Sequence, residues 1–86
     1  MSGSAKLPNG SHVGITTKWG FGVNANQNTT RIEAGKYVVV VNDDLTVSIN
    51  DERVGVLKQE PMNYDLIVNS VGLKMSCAEG IIAQLE

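Results

Sequence analysis

Apolar and polar residues alternate along most of the chain from residue 36 onward, and this pattern predicts β-strands. Leu45, Val47 and Ile49, for example, are separated by polar residues. An apolar residue at every second position of a strand places all of them on one face of the sheet. Turn-forming residues interrupt the pattern too often to leave room for a helix. The sequence therefore predicts an all-β fold, a small and mostly antiparallel meander closed into a barrel or folded as a sandwich.

Two turns of this meander can be placed from residue type. Asn50 and Asp51 both tolerate a positive φ, so they predict a two-residue hairpin. Glu60 and Pro61 end a strand, because proline donates no backbone hydrogen bond and restricts the residue before it. We expect six short strands between residues 36 and 85, and we interpret residues 12–86 as a single domain.

The first eleven residues differ from the rest, because they are small, polar and turn-prone. Residues 1–11 therefore predict a flexible N-terminal arm that contributes nothing to the core. The segment from His12 to Val23 predicts a strand or a bent strand pair. In it Trp19, Phe21 and Val23 share one face, and glycines occupy the other.

The segment Tyr37–Val41 is apolar on both of its faces. Tyr37, Val39 and Val41 form one face, and Val38 and Val40 form the other. Such a strand is either covered on both sides within the domain or covered on one side by a partner. We leave both possibilities open.

Composition limits how such a small domain can be stabilised. The chain has 86 residues, one cysteine (Cys77) and one histidine (His12), so an internal disulfide is impossible and a zinc site is not expected. The sequence lacks a histidine placed to activate a nucleophile and a phosphate-binding glycine loop. We therefore expect no cofactor, no metal and no enzymatic activity, and we expect oligomerisation to supply stability.

Charge and hydropathy bear on partners and location. The formal net charge is −2 and the basic residues are scattered, which does not favour nucleic acid. No stretch approaches the roughly 20 apolar residues of a membrane span. We expect an intracellular protein without a membrane partner, either cytoplasmic or, for a phage protein, part of a virion.

From Leu45 onward the chain resembles the Sm/LSm family. The similar features are a glycine and a leucine in one strand (Gly55 and Leu57), a following Met62-Asn63 pair, and Glu79-Gly80 before the last strand. Glu79 stands where the family has an arginine. The resemblance implies a bent five-stranded barrel of the SH3 or Sm type and a ring of identical subunits. It also implies nucleic-acid contacts, for which the candidates are Met62, Asn63, Tyr64 and Lys74.

Three functions follow from these patterns. The first is a non-enzymatic structural or interaction module that self-associates or docks on a larger assembly, such as a virion. Its interface candidates are Val38, Val40, Trp19 and Phe21. The second is an Sm-like ring that binds RNA or DNA. The third is a module that binds a polar ligand or carbohydrate through Trp19 and the amide-rich segment 24–30.

Overall fold

A computed structural model describes all residues from 1 to 86 and contains ten strands in two five-stranded sheets, with no helix. The prediction of an all-β fold is confirmed. The strands are β1 (Ser2–Lys6), β2 (His12–Thr17), β3 (Phe21–Ala25), β4 (Thr29–Ala34), β5 (Tyr37–Asn42), β6 (Thr46–Ile49), β7 (Glu52–Val56), β8 (Asn63–Val68), β9 (Leu73–Cys77) and β10 (Gly80–Leu85).

The two sheets differ in how the chain passes through them. The first, here the meander sheet, contains β3 to β7 in sequence order, and all its neighbours are antiparallel. The second, here the split sheet, has the order β1-β2-β8-β9-β10. The whole meander sheet is inserted between β2 and β8, which lie side by side and are parallel. Neither sheet closes on itself.

The inward faces of both sheets share one core, so the molecule is a two-layer sandwich. The alternation from which the strands were predicted is visible in this core: Leu45, Val47 and Ile49 of the meander sheet are buried, as are Leu66 and Met75 of the split sheet. Burial of each such aliphatic side chain contributes about 1.5–3 kcal/mol to stability. No disulfide supplements this core, since Cys77 is free.

The predicted hairpin at Asn50 and Asp51 is confirmed. Both residues have positive φ, 51° and 69°, as a type I′ turn between β6 and β7 requires. The Asn50 side-chain oxygen also accepts a hydrogen bond from the Val38 backbone N–H at 2.8 Å. Asn50 therefore forms part of the hairpin turn and also accepts a backbone hydrogen bond from the neighbouring strand, β5.

The prediction of a flexible arm over residues 1–11 is wrong. Ser2–Lys6 form β1, which pairs with β2, and Ala5 and Leu7 are buried in the core. The buried Ser11 accepts a backbone hydrogen bond from Leu7 at 2.8 Å. Small residues suit this strand because the Phe21 ring of the opposite sheet lies against Gly3. Because these side chains are small, the sequence of β1 does not show the apolar alternation of a strand.

The region between His12 and Ala34 also differs from expectation. The predicted bent pair is divided between the sheets, because β2 belongs to the split sheet and β3 to the meander sheet. Trp19 lies in the bend that joins them. The strand β4 was not predicted at all. Its inward residues Thr30, Ile32 and Ala34 include one large apolar side chain, which makes its alternation weak.

Candidate functional site

The outward face of the meander sheet carries Val38 and Val40, both half-buried and both outside the core. The strand register places Val38 beside Glu33, and Val40 between Arg31 and Ser48. Arg31 and Glu33 form an exposed ion pair at 3.5 Å. Polar and charged neighbours thus surround the two valines, so they do not form an extended apolar surface. Their role as interface candidates stays a prediction.

The structure separates Phe21 from Trp19, although the sequence placed them on one face. Phe21 packs against the core, and its ring lies over Gly3 of β1, where a Cβ would be 2.5 Å from Phe21 Cζ. Phe21 therefore helps to join the two sheets and offers little free surface. Trp19, in contrast, is 45% exposed.

The backbone of Trp19 is held by Thr17. The Thr17 hydroxyl accepts a hydrogen bond from the Trp19 N–H at 2.8 Å and donates one to the Trp19 carbonyl at 2.7 Å. The indole packs over Gly35, where a Cβ would lie 3.3 Å from two ring carbons. The bend thus presents an exposed aromatic ring in a fixed position.

Trp19 forms one wall of a cleft of about 490 Å³ at the end of the sandwich. The Gly35-Lys36 turn, Tyr37 at the start of β5, and the segment Asn69–Gly72 form the remaining walls. The Lys36 ammonium lies 5.5 Å from the centre of the Tyr37 ring. The buried Tyr37 hydroxyl has no hydrogen-bond partner in the protein. This cleft brings together an aromatic ring, a cation and unused hydrogen-bonding groups.

The amide-rich segment 24–30 does not join this cleft. It forms the end of β3, the start of β4 and the turn between them, which closes where Asn26 N–H donates to the Thr29 carbonyl at 2.9 Å. Gly35 lies beyond the other end of β4, and a six-residue strand spans about 20 Å. The amide-rich turn instead lies beside Lys6, Leu7 and Pro8. The predicted combination of Trp19 with this segment is therefore wrong.

The four nucleic-acid candidates do not form one surface. Tyr64 is 1% exposed, and its hydroxyl accepts a hydrogen bond from the Lys58 backbone N–H at 3.3 Å. A ring buried in this way cannot stack on a base, so the prediction for Tyr64 is wrong. Met62 packs partly against the core. Asn63 and Lys74 are exposed on the outward face, but Lys74 pairs with Ile67, at the other end of β8 from Asn63.

Each sheet has two edge strands, and they are protected to different degrees. In β7, Glu52 and Arg53 provide charge and the ladder has a register shift. In β10 there is also a register shift, and Ile82 packs against Gly55 of β7. In β1, the Lys6 carbonyl accepts a hydrogen bond from the Thr30 hydroxyl at 2.8 Å. Charge, bulges and cover are the usual means by which proteins block an edge.

The remaining edge strand, β3, has neither charge nor a bulge, and its contact with the opposite sheet is the Phe21 ring over Gly3. Its sequence, Phe21–Ala25, contains no charged residue and no proline, and its ladder with β4 is regular. Val23 is 41% exposed, although it pairs with the buried Ile32 on the inward face of the sheet. The absence of charge in this segment is visible in the sequence. Its position at the edge of a sheet is visible only in the structure.

Titratable groups with shifted pKa values lie away from both features. Two hydrogen bonds from Thr46 to the Asp44 carboxylate, at 2.6 and 3.1 Å, hold the pKa of Asp44 below its ordinary value. The ion pair with Glu79 raises the pKa of Lys58. No group of three or more histidine, cysteine or acidic side chains converges in a metal-binding arrangement.

Comparison of the chain with protein-family models, with curated proteins and with solved structures gives no match. The resemblance to the Sm/LSm family therefore stays a prediction. The structure has ten strands in two sheets, where the resemblance implies five in one barrel. No helix with the length and apolar character needed to cross a membrane is present.

Proposed function

We propose that this protein is a non-enzymatic interaction module that self-associates through its free edge strand, β3. The observation that carries the proposal is the contrast among the four edges, of which β3 alone has neither a charged residue nor a bulge. An edge of this kind is a template for another strand. The occupant we propose is the β3 strand of a second copy.

The strand register indicates which backbone groups are free. In an antiparallel ladder, hydrogen-bonded and non-hydrogen-bonded pairs alternate. The Asn26 N–H bonds to the Thr29 carbonyl. By this alternation, the backbone N–H and C=O groups of Asn24 and Gly22 also bond to β4. The N–H and C=O groups of Phe21, Val23 and Ala25 consequently point away from the sheet.

A two-fold axis at Val23 makes this edge complementary to itself. Val23 would pair with the Val23 residue of the second copy, and Phe21 with Ala25 in both directions. About six backbone hydrogen bonds would form, and the two meander sheets would become continuous. With no charged residue in β3, the pairing brings no like charges together, and it removes exposed Val23 from water.

The expected affinity is modest. A five-residue edge buries less than the roughly 1,600 Å² of a standard interface. We expect a reversible dimer with a Kd between about 0.1 and 1 mM. In a larger assembly such as a virion, a high local concentration of copies would favour the same pairing.

Light scattering behind a sizing column tests this proposal with two matched variants. Val23→Lys places two ammonium groups opposite each other across the axis and should raise the Kd at least about tenfold. Val56→Lys is the control, since Val56 is also an exposed valine on an edge strand, 49% exposed on β7. We expect the wild type and Val56→Lys to dimerise as concentration rises, and Val23→Lys to remain monomeric with an unchanged thermal midpoint. A wild-type monomer at 1 mM, or equal dispersal by both variants, contradicts the proposal.

A further inference from the structure

The cleft beside Trp19 has the features of a ligand site, and these do not depend on the pairing of β3. We propose that it binds an acidic sugar, a pyranose unit that carries a carboxylate. The cleft volume of about 490 Å³ lies within the roughly 300–1,000 Å³ of small-molecule sites. It is large enough for one or two sugar units and too small for a folded partner.

The aromatic wall provides the platform for the sugar ring. Trp19 is the only tryptophan of the chain, and Thr17 fixes its backbone in the bend. Gly35, with φ of +58°, lets the indole lie against the turn. One side of the ring is thus occupied by protein, and the exposed remainder offers a flat apolar surface to the C–H face of a pyranose.

The charge of the cleft selects an anion. Lys36 is its only charged residue and forms no ion pair. Asn69 accepts hydrogen bonds from Val71 and Gly72 through its side-chain carbonyl, at 2.8 and 3.2 Å. The Asn69 amide N–H groups have no partner in the protein, and they remain as donors. A carboxylate near Lys36 and ring hydroxyls near Asn69 would use both.

Tyr37 also lines the cleft, but its hydroxyl is enclosed by protein and has no hydrogen-bond partner there. A ligand in the open cleft therefore does not reach this hydroxyl, and its contacts are with Trp19, Lys36 and Asn69.

Two other ligand classes fit less well. A nucleic-acid strand needs several cations along its phosphates, whereas the cleft has Lys36 alone and the chain carries a net charge of −2. A lone inorganic anion would leave the indole unused. An acidic sugar uses the ring, the cation and the hydrogen-bonding groups together.

Two probes that differ only in one carboxylate test the inference: methyl β-D-glucuronide and methyl β-D-glucoside. Titration is followed by Trp19 fluorescence and by amide NMR shifts. We expect the glucuronide to saturate in the millimolar range and to shift residues 35–37 and 69–72. The glucoside should bind at least about tenfold more weakly, as a charge-assisted hydrogen bond is lost.

Three variants assign the contacts. Lys36→Gln should reduce glucuronide affinity about tenfold, whereas Lys18→Gln, next to Trp19 in sequence but outside the cleft lining, should not. Tyr37→Phe removes an unpaired hydroxyl that is enclosed by protein, so it should leave the glucuronide affinity unchanged and the free protein equally or more stable.

Four results overturn the inference: no saturation by the glucuronide at 50 mM, equal affinity for both probes, wild-type affinity in Lys36→Gln, or tighter binding of uridine monophosphate than of the glucuronide. Repeating the titration on monomeric Val23→Lys separates this site from the proposed pairing. If the protein dimerises but does not bind the glucuronide, only the proposed ligand site in the cleft is refuted. If it binds the glucuronide but does not dimerise, only the proposed pairing through β3 is refuted.

Discussion

At the residue scale, close contacts between the two sheets account for positions that the sequence leaves unexplained. Gly3 lies in β1 with the tip of the Phe21 ring 2.5 Å from where a Cβ would be, so a side chain there would have to displace that ring. Gly22, in β3, has open space where a Cβ would be. Both glycines lie within edge strands. Only the packing of one sheet on the other distinguishes the required glycine from the tolerated one.

This difference predicts opposite outcomes for two alanine substitutions. Gly3→Ala should lower the free energy of unfolding by about 1–3 kcal/mol, the usual effect of overpacking. Gly22→Ala should change it by less than about 0.5 kcal/mol. Chemical denaturation measures both. The effect of Gly3→Ala should shrink in a Phe21→Leu background, and a cost that stays the same there would show that the Phe21 ring is not its cause.

The hydrogen bonds of Asp44 predict a pH dependence. The folded-state pKa of Asp44 lies below its ordinary value of 3.8, because Thr46 donates two hydrogen bonds to the carboxylate. A lowered folded-state pKa gives stability that is present above the unfolded-state pKa and is lost as pH falls through the folded-state pKa. Wild type should therefore be more stable than Asp44→Asn at pH 6, and the difference should decline below pH 3.8.

Unfolding measured from pH 6 to pH 2 checks this prediction. Asp43→Asn serves as the control, because the Asp43 side chain makes no hydrogen bond to Thr46. An Asp44→Asn difference that stays constant, or grows, as acid is added would contradict the assignment.

At the element scale, alternation predicted the strands that have several large apolar residues and missed the others. The chain from β5 to β10 could be predicted because residues such as Val39, Leu66 and Met75 face the core at every second position. In β1, the inward positions include Gly3 and Ala5, whose side chains give no apolar signal. The parallel pairing of β2 with β8 joins distant segments, and local pattern carries no information about it.

The candidate site was predictable to the same extent. Trp19 was recognised from its residue type and its glycine neighbours. Its partners in the cleft come from two later parts of the chain, residues 35–37 around the turn before β5 and Asn69–Gly72. Only the folding of one sheet over the other brings them together. The free edge at β3 depends in the same way on the order of strands in the sheet.

The two faces of β5 provide a test at this scale. Val39 is fully buried, whereas its neighbour Val40 is half-buried on the outward face. Val39→Lys should unfold the protein, because it buries an unpaired charge. Val40→Lys should cost less than about 1 kcal/mol and leave the dimer intact. Circular dichroism and light scattering measure the two effects. Dispersal of a folded Val40→Lys dimer would instead assign the interface to the Val38 and Val40 face.

At the scale of the whole molecule, the sandwich leaves two different openings to its surroundings. The edge of β3 offers backbone groups to another strand, and the cleft at Trp19 offers a ring and a cation to a small ligand. Phe21 is the first residue of β3 and lies two positions after Trp19. The free edge of β3 and the cleft at Trp19 are therefore neighbours. Self-association through β3 would therefore place the clefts of two copies on one continuous structure.

Amide hydrogen exchange at two protein concentrations tests the central claim most directly. The amide of Asn24 bonds to β4 within each copy and should be protected at every concentration. The amides of Val23 and Ala25 point to the free edge, so they should exchange rapidly at 10 µM and become protected near 1 mM. Rapid exchange of Val23 and Ala25 at both concentrations, or new protection on β7 instead, would contradict pairing through β3.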